Sequence, residues 1–329
     1  MNRKQIAGMV IAALVFVFIS VSSAITNNYV QTGLLNTFAS NTRSYYPVNE
    51  AYVGVVDISG TILEDSASPI FSSVEEYNHQ VTLDCIDEMM YSYNNRGILL
   101  YLDSPGGGVY ESDEVYLKLK QYREETNRPI YVYMSREACS GAYYIAMASD
   151  RQVYANRNAW TGSIGVVISM LNTKGLYDKI GIREIDITSG RNKTIGSQGS
   201  ELTDEQAAIL QSLVDEAYEQ FVDIVAEGRG MDARQVKELA DGRIYSAKQA
   251  WEHGLIDGIM TLEGLKDYIY EESSEYITIC DPDKQESLIQ QLVHNIQSVG
   301  RKSDAQVLQE LIEKRGNGVL MYHADQFRQ

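Results

Sequence analysis

The sequence contains few of the residues on which metal sites and disulfide frameworks depend. Only four histidines and three cysteines occur among 329 residues, and neither a CxxC pair nor an HExxH motif is present. A disulfide framework, a structural zinc site and a catalytic metal therefore lack their usual ligands. We expect no cofactor and no metal in this protein.

Basic residues are also too few for a nucleic-acid interface. Lys and Arg number 28 against 45 Asp and Glu, which gives a formal net charge of −17. Such a chain repels a phosphate backbone at long range, and no local basic stripe offsets that repulsion. We therefore expect no nucleic-acid partner. Hydrophobic residues make up 44% of the chain, which is enough to bury a sizeable core.

One long uncharged apolar run is present, and it lies at the N-terminus. It covers residues 6–25 and follows Arg3 and Lys4. Its length matches the ~20 residues that a helix needs to cross a ~30 Å hydrocarbon core. It predicts a membrane anchor over residues 1–25. A cleavable signal peptide is the alternative, because residues 22–24 are small enough for a cleavage site. In both cases the basic flank predicts a cytoplasmic N-terminus and an extracytoplasmic remainder.

Downstream, strand patterns alternate with helical ones. Three helices are predicted between strands: one between the first two strands, one from about Glu111 and one over residues 140–148. They complete βαβ units, so we expect an α/β fold with right-handed crossovers. Thr203 and Ser246 each begin a sequence typical of a capping box. Short aliphatic or β-branched runs predict covered strands over residues 51–60, 97–103, 129–135 and 151–156.

Three glycines, Gly106, Gly107 and Gly108, follow the second predicted strand. Consecutive glycines can turn their N–H groups into one concavity, which suits an oxyanion or the backbone of an extended peptide. A tight strand-to-helix turn is the alternative interpretation, although such a turn usually requires only one glycine.

Ser140 follows a predicted strand and stands at or just before the first turn of a helix of small residues. Unpaired N–H groups at a helix N-terminus stabilise negative charge, which makes its hydroxyl a candidate nucleophile. Serine is also a favoured N-cap, so capping is the alternative role. Cys139 is a second candidate nucleophile, but a reactive thiolate normally needs a histidine or another positive group, and the sequence supplies no histidine here.

Lys193 lies in a polar, glycine-bearing loop over residues 188–200. A surface lysine is the ordinary interpretation of such a position. The alternative is a general base, and lysines are neutral near pH 7 only when burial lowers their pKa by several units. Ser/Lys pairs need neither histidine nor aspartate. This hypothesis therefore requires Lys193 to be desolvated.

Four stretches, DSPGGG, ACSGAYYIA, TGSIGV and SGRNKTIGS, occur in that order. Together they resemble the signal peptide peptidase A family of membrane-anchored serine proteases, in its short single-copy form. The resemblance runs from about residue 51 to residue 270 and implies a Clp protease/crotonase-like superhelix of ββα units. The chain departs from the family pattern where GSQGSELT follows the lysine without a proline.

The resemblance implies a role for individual residues. Ser140 would attack the scissile carbonyl, Lys193 would take its proton, and Ser163 would orient the lysine. The backbone N–H of Gly107, together with that of Ser140, would form the oxyanion hole. The position of the glycine is open by one residue, so Gly106 and Gly108 remain alternatives.

The function implied is that of a membrane-anchored serine endopeptidase that hydrolyses extended apolar peptides, such as remnant signal peptides, and assembles into a homo-oligomeric ring. A catalytically inactive peptide-binding scaffold of the same fold is the alternative. An acyl-CoA enzyme of this fold is a weaker alternative.

The predicted organisation is an anchor (1–25), a linker (26–50), a protease domain (51–275) and a C-terminal extension (276–329). The extension contains helical stripes and a strand over residues 318–325. That strand would dock on the domain or, as the family suggests, enter an active site and be trimmed.

Overall fold

Strands and helices alternate along most of the chain. The computed structural model describes residues 46, 49–64, 77–149, 152–273, 278–280 and 320–323, with Cys280 and the last four described by their backbone alone. The predicted anchor over residues 1–25 and the C-terminal helical stripes lie outside these residues. No helix within the described ranges is long and apolar enough to cross a membrane.

The elements are numbered in chain order. The described strands are β1 (Tyr52–Ser59), β2 (Asn95–Ser104), β3 (Gly106–Gly108), β4 (Ile130–Cys139), β5 (Val153–Ala155), β6 (Trp160–Gly162), β7 (Val167–Ile168), β8 (Ile244–Ser246), β9 (Gly258–Ile259), β10 (Thr278–Cys280) and β11 (Leu320–His323). The described helices are α1 (His79–Tyr91), α2 (Val109–Thr126), α3 (Gly141–Ala146), α4 (Lys174–Ile180), α5 (Asp204–Arg229), α6 (Ala233–Leu239), α7 (Ala247–Glu252) and α8 (Leu262–Glu272).

A mostly parallel sheet forms the centre of the fold. Strands β1, β2, β4 and β5 are successive parallel neighbours, with β10 beside β1 and β9 beside β5. The predicted α/β class and the four predicted strands are confirmed. Because neighbouring parallel strands end at the same edge of a sheet, the residues that follow β2 and β4 come close together.

Strand β4 is longer than its aliphatic run predicts. The run ends at residue 135, but the strand continues to Cys139 because its last three residues pair with β6, while Val132–Met134 pair with β5. The polar side chain of Arg136 is accommodated at the surface, where it forms an ion pair with Asp103 of β2. The extension carries the chain directly to Ser140.

Both faces of the sheet are covered by helices. The larger apolar core lies against α1, α2, α3 and α5, and it includes the fully buried side chains of Tyr143, Tyr144 and Phe221. The smaller core lies between the opposite face and Leu265 and Ile269 of α8. These two layers hold the central strands in place from both sides.

Both predicted capping boxes are present and start helices. The side chain of Thr203 accepts from the N–H of Gln206 at the start of α5, and Ser246 accepts from Gln249 at the start of α7. Helix α5 ends at Arg229, because the following residue, Gly230, adopts a left-handed conformation with φ 62°.

Arg229 ties the end of α5 to the sheet. Its guanidinium forms two hydrogen bonds with the Asp257 carboxylate, at 3.0 and 2.8 Å, and a third with the carbonyl of Gly254 at 2.9 Å. Its side chain is only 5% exposed. The pair is therefore largely removed from water. In such a buried pair, loss of one partner leaves the charge of the other uncompensated.

We expect Arg229→Met to lower the free energy of unfolding by about 3 kcal/mol, because it leaves the Asp257 carboxylate without its cationic partner. Lys237→Met, which removes the exposed ion pair with Glu219, is the matched control and should change it by about 1 kcal/mol or less. Urea unfolding followed by circular dichroism measures both. Equal effects of the two substitutions would contradict the structural role assigned to Arg229.

Candidate active site

Ser140 stands on a strained turn between β4 and α3. Its backbone has φ 53° and ψ −115°, a conformation that residues other than glycine rarely adopt. The N–H of Ser140 donates to the carbonyl of Gly162 at 2.7 Å, and its own carbonyl accepts from Tyr144 at 2.9 Å. The turn is therefore held from both sides. Such a strand-to-helix turn is typical of a nucleophilic serine.

The hydroxyl of Ser140 is buried and has no hydrogen-bond partner among the described residues. The residue as a whole is 1% exposed. A buried polar group without a partner costs free energy, so an orphaned one in a strained turn is a candidate for a functional role. Its side chain does not cap the six-residue helix α3, so the alternative capping role is wrong in this structure.

Ser163 lies beside Ser140 because of the register between β4 and β6. Cys139 pairs with Gly162 in parallel strands, so each serine is the next residue after a paired position. Ser163 is also buried and has a positive φ of 50°. Its N–H donates to the carbonyl of Arg243 at 2.8 Å. The structure thus brings together the two serines to which the resemblance assigns roles.

The three glycines of β3 use their N–H groups differently. The N–H of Gly106 donates to the Ser104 hydroxyl at 3.1 Å, and that of Gly108 donates to the carbonyl of Ile62 at 2.7 Å. Because backbone groups alternate along an extended strand, the N–H of Gly107 faces the opposite edge. A Cβ at Gly107 would overlap the backbone of Ile62, so only glycine fits there.

The C-terminal strand β11 pairs with this same glycine edge. It runs antiparallel to β3, with residue 321 opposite Gly108, residue 322 opposite Gly107 and residue 323 opposite Gly106. On its other side β11 pairs with β7. A strand forms within the predicted residues 318–325, at Leu320–His323, and it pairs with the glycine strand of the candidate site. The groove between β3 and β7 therefore accepts an extended chain as an added strand.

Lys193 is exposed in the single chain and its ammonium has no described side-chain partner. Its backbone N–H donates to the carbonyl of Gly190 at 3.1 Å within a series of turns. Since the Ser140 hydroxyl has no hydrogen-bond partner among the described residues, the two side chains are not bonded to each other in one chain. The pairing of Ser140 with Lys193 stays a prediction.

The predicted oxyanion hole needs one correction. The resemblance assigned the N–H of Ser140 to it, but that N–H is occupied by the carbonyl of Gly162. The next N–H along the chain belongs to Gly141, the first residue of α3, and first-turn N–H groups have no acceptor within their own helix. The residue after a nucleophilic serine commonly supplies this donor.

Cys139 does not have the properties of a nucleophile. It is fully buried, and burial, with a smaller contribution from the nearby charge of Glu137, raises the pKa of its thiol to about 12. The thiolate is therefore absent near neutral pH, and the thiolate is the reactive form. The hydroxyl of Ser140 remains the candidate nucleophile at this turn.

A hydrogen-bond network at the helix that follows Ser140 is not predicted from the sequence. The hydroxyl of Tyr144, on α3, donates to Asp113 of α2 at 2.5 Å, and Gln220 of α5 contacts both groups at 3.1 and 2.7 Å. The network fixes the short helix that follows the serine against two long helices. No motif marks it, because its members are far apart in the sequence.

A buried serine hydroxyl on a strained turn, next to a glycine strand whose middle N–H faces the edge paired with β11, is typical of a serine hydrolase on an α/β sheet. Residues 122–273 match the model of peptidase family S49. Three similar proteins extend the comparison beyond that range.

The "Putative signal peptide peptidase SppA" of Enterococcus faecium is 40% identical over 217 residues, which are 66% of this chain and 62% of that relative. The "Putative protease slr0021" of Synechocystis is 39% identical over 62% of this chain and 69% of its own length. The "Serine protease SPPA, chloroplastic" of Arabidopsis thaliana is 33% identical over 54% of this chain and 26% of its own length. The chain belongs to peptidase family S49, and its resemblance to the signal peptide peptidase A family is confirmed.

We expect Cys139 to resist alkylation in the folded protein. With a pKa of about 12, only about one thiol in 10⁴ is ionised near pH 8, so iodoacetamide should modify it at least about 10³-fold more slowly than a free cysteine. Mass spectrometry of timed samples measures the rate. The same protein in guanidinium chloride is the control and should react fully. Rapid alkylation of folded protein would contradict the burial and raised pKa of this thiol.

Proposed function

We propose that the protein is a serine endopeptidase that cleaves extended peptides. The observation that carries this proposal is the buried hydroxyl of Ser140, which stands on a strained turn and has no hydrogen-bond partner among the described residues. Gly107 supports it, because its N–H faces the edge at which an extended strand pairs. Membership of peptidase family S49 gives independent support. An inactive peptide-binding scaffold would not require the strained serine.

The proposed mechanism follows the roles that the resemblance implies. A peptide binds as an added strand beside β3, and the Ser140 hydroxyl attacks the carbonyl of the residue opposite Gly107. Lys193 takes the proton and Ser163 orients the lysine. The N–H groups of Gly107 and Gly141 stabilise the oxyanion of the tetrahedral intermediate. The amine of the leaving peptide departs with a proton, and water then hydrolyses the acyl-enzyme.

Lys193 becomes available to Ser140, in this proposal, through a second copy of the chain. A lysine acts as a general base only in its neutral form, which desolvation favours. The segment before it exposes a series of large apolar side chains that water does not favour. A neighbouring copy that covers this surface would desolvate the lysine and supply it to its own serine. The exposed apolar residues are Leu171, Leu176, Ile180, Ile182, Ile185 and Ile187.

Repetition of such a contact around a closed ring would give the homo-oligomer that the resemblance implies. We further propose that residues 6–25 anchor the assembly to the cell membrane as a single pass, with the catalytic domain on the extracytoplasmic side. Apolar remnants of signal peptides arise at that surface and suit a groove that binds extended chains. They are the proposed substrates.

We expect Ser140→Ala and Lys193→Ala each to lower kcat/KM by at least about 10³-fold for an unstructured signal-peptide-like substrate, as removal of a nucleophile or its base does. Co-expressed in one assembly, the two inactive chains should recover part of the activity, because a serine from one copy meets a lysine from the other. Cleavage of a fluorogenic peptide measures all three preparations.

Lys248→Ala is the matched control for the lysine, because Lys248 is an exposed residue of α7 that forms an ion pair with Glu252 and lies outside the apolar segment that precedes Lys193. It should retain full activity. Full activity of Lys193→Ala would contradict the dyad. Two inactive variants that recover nothing in a mixed assembly would contradict the sharing of sites between copies. A folded wild-type protein that leaves the peptide intact would favour the scaffold.

We expect removal of residues 318–329 to raise kcat/KM for peptides by about two- to tenfold, the range for a segment that occupies the groove half to nine-tenths of the time. Tyr322→Pro tests the same point at full length, because proline cannot donate its backbone N–H opposite Gly107. Unchanged or lower activity in both variants would show that β11 does not compete with substrate. Mass spectrometry of active wild type then shows whether the terminus is trimmed.

A further inference from the structure

The carboxylate of Glu111 lies directly against β3. Glu111 stands in the first turn of α2, and a Cβ built at Gly108 would overlap its Oε2 atom. Its Oε1 atom accepts from the N–H of Glu64 at 3.1 Å. The missing side chain of Gly108 therefore leaves a space at the edge of the groove, and this carboxylate fills it.

The register of β11 shows what faces this carboxylate when a peptide is bound. Residue 321 lies opposite Gly108 in an antiparallel pair. Directly opposed residues point their side chains to the same face of a sheet, with Cβ atoms about 4.5–5.5 Å apart. Any peptide bound in this register thus directs the side chain opposite Gly108 toward Glu111, within reach of a long side chain.

The surroundings of Glu111 are negatively charged. The pKa of Tyr110 is raised, above all by the charge of Glu114, and further by the charges of Glu64 and Glu111. His79 contacts Glu114 through Nε2 at 2.7 Å. Within the described ranges Glu111 forms no ion pair, so its charge is not neutralised by a cationic side chain of those residues.

We propose that Glu111 selects a lysine or arginine in the substrate, at the residue immediately before the one whose carbonyl is attacked. This inference rests on the proposed function, in which the attacked residue lies opposite Gly107 and its predecessor therefore lies opposite Gly108. The carboxylate attracts a cationic side chain on the same face of the added strand. Neighbouring substrate residues point to the other face and remain apolar.

The test uses two peptides that differ only at this position, lysine in one and norleucine in the other, with the cleaved bond assigned by mass spectrometry. Wild-type protein should prefer the lysine peptide about three- to fivefold in kcat/KM, the range for a partly exposed ion pair. Glu111→Gln should remove the preference while its amide oxygen still accepts from the N–H of Glu64. The preference in wild type should also fall as salt is raised.

Glu124→Gln is the matched control, because Glu124 is exposed on the same helix α2, far along the chain from the groove. It should keep the wild-type preference. Glu111→Asp should keep part of it, which guards against a loss of fold in the first variant. A wild-type enzyme without preference, or a Glu111→Gln variant that slows both peptides equally, overturns the inference while the protease proposal stands. Cleavage that persists unchanged in Ser140→Ala overturns the proposed function itself and this inference with it.

Discussion

The site depends on the parallel register between β4 and its two neighbours. Ser104 pairs with Ala138 on one side, and Cys139 pairs with Gly162 on the other. These pairs set the ends of three strands at one edge, so the glycine strand, Ser140 and Ser163 follow within one or two residues. A shift of one residue in β4 would reverse the face of every side chain near the serine. The apolar layers on both faces of the sheet prevent that shift, because it would expose core residues and bury polar ones.

Backbone strain at the site is stabilised by the same register. Ser140 and Ser163 both have positive φ, and each such residue costs about 1–3 kcal/mol. The N–H of Ser140 bonds to Gly162 of β6, and that of Ser163 bonds to Arg243, the residue before β8, so neighbouring segments of the sheet hold both strained turns. The Tyr144 network then fixes the helix behind the serine. The stability of the whole sheet therefore compensates for the strained backbone that positions the Ser140 hydroxyl. Local conformational propensity alone would not favour that backbone.

Much of the architecture is predictable from the sequence, because hydrophobic periodicity and capping residues act locally. Strands β1, β2 and β5 and the capping boxes at Thr203 and Ser246 match their patterns. The last residues of β4 do not, since their pairing with β6 depends on a distant segment. The site likewise has features that local sequence predicts and features that depend on distant segments. Glycine and serine motifs indicate which residues matter, whereas the engagement of the Ser140 N–H and the placing of residue 321 opposite Gly108 follow from strand register.

The glycine edge imposes a common requirement on everything that binds there. Gly107 must lack a side chain because Ile62 lies behind it, and this same absence leaves its outward N–H open to any extended backbone. Main-chain pairing carries little sequence preference, so in the proposed function β11 and a substrate use the same backbone contacts of β3. Discrimination must then come from side chains beside the strand, and an ion pair at one register position gives it without blocking the backbone contacts. Under the same proposal, the tether favours β11 through high local concentration, whereas a free peptide with a cationic residue gains an ion pair that Met321 of β11 cannot form.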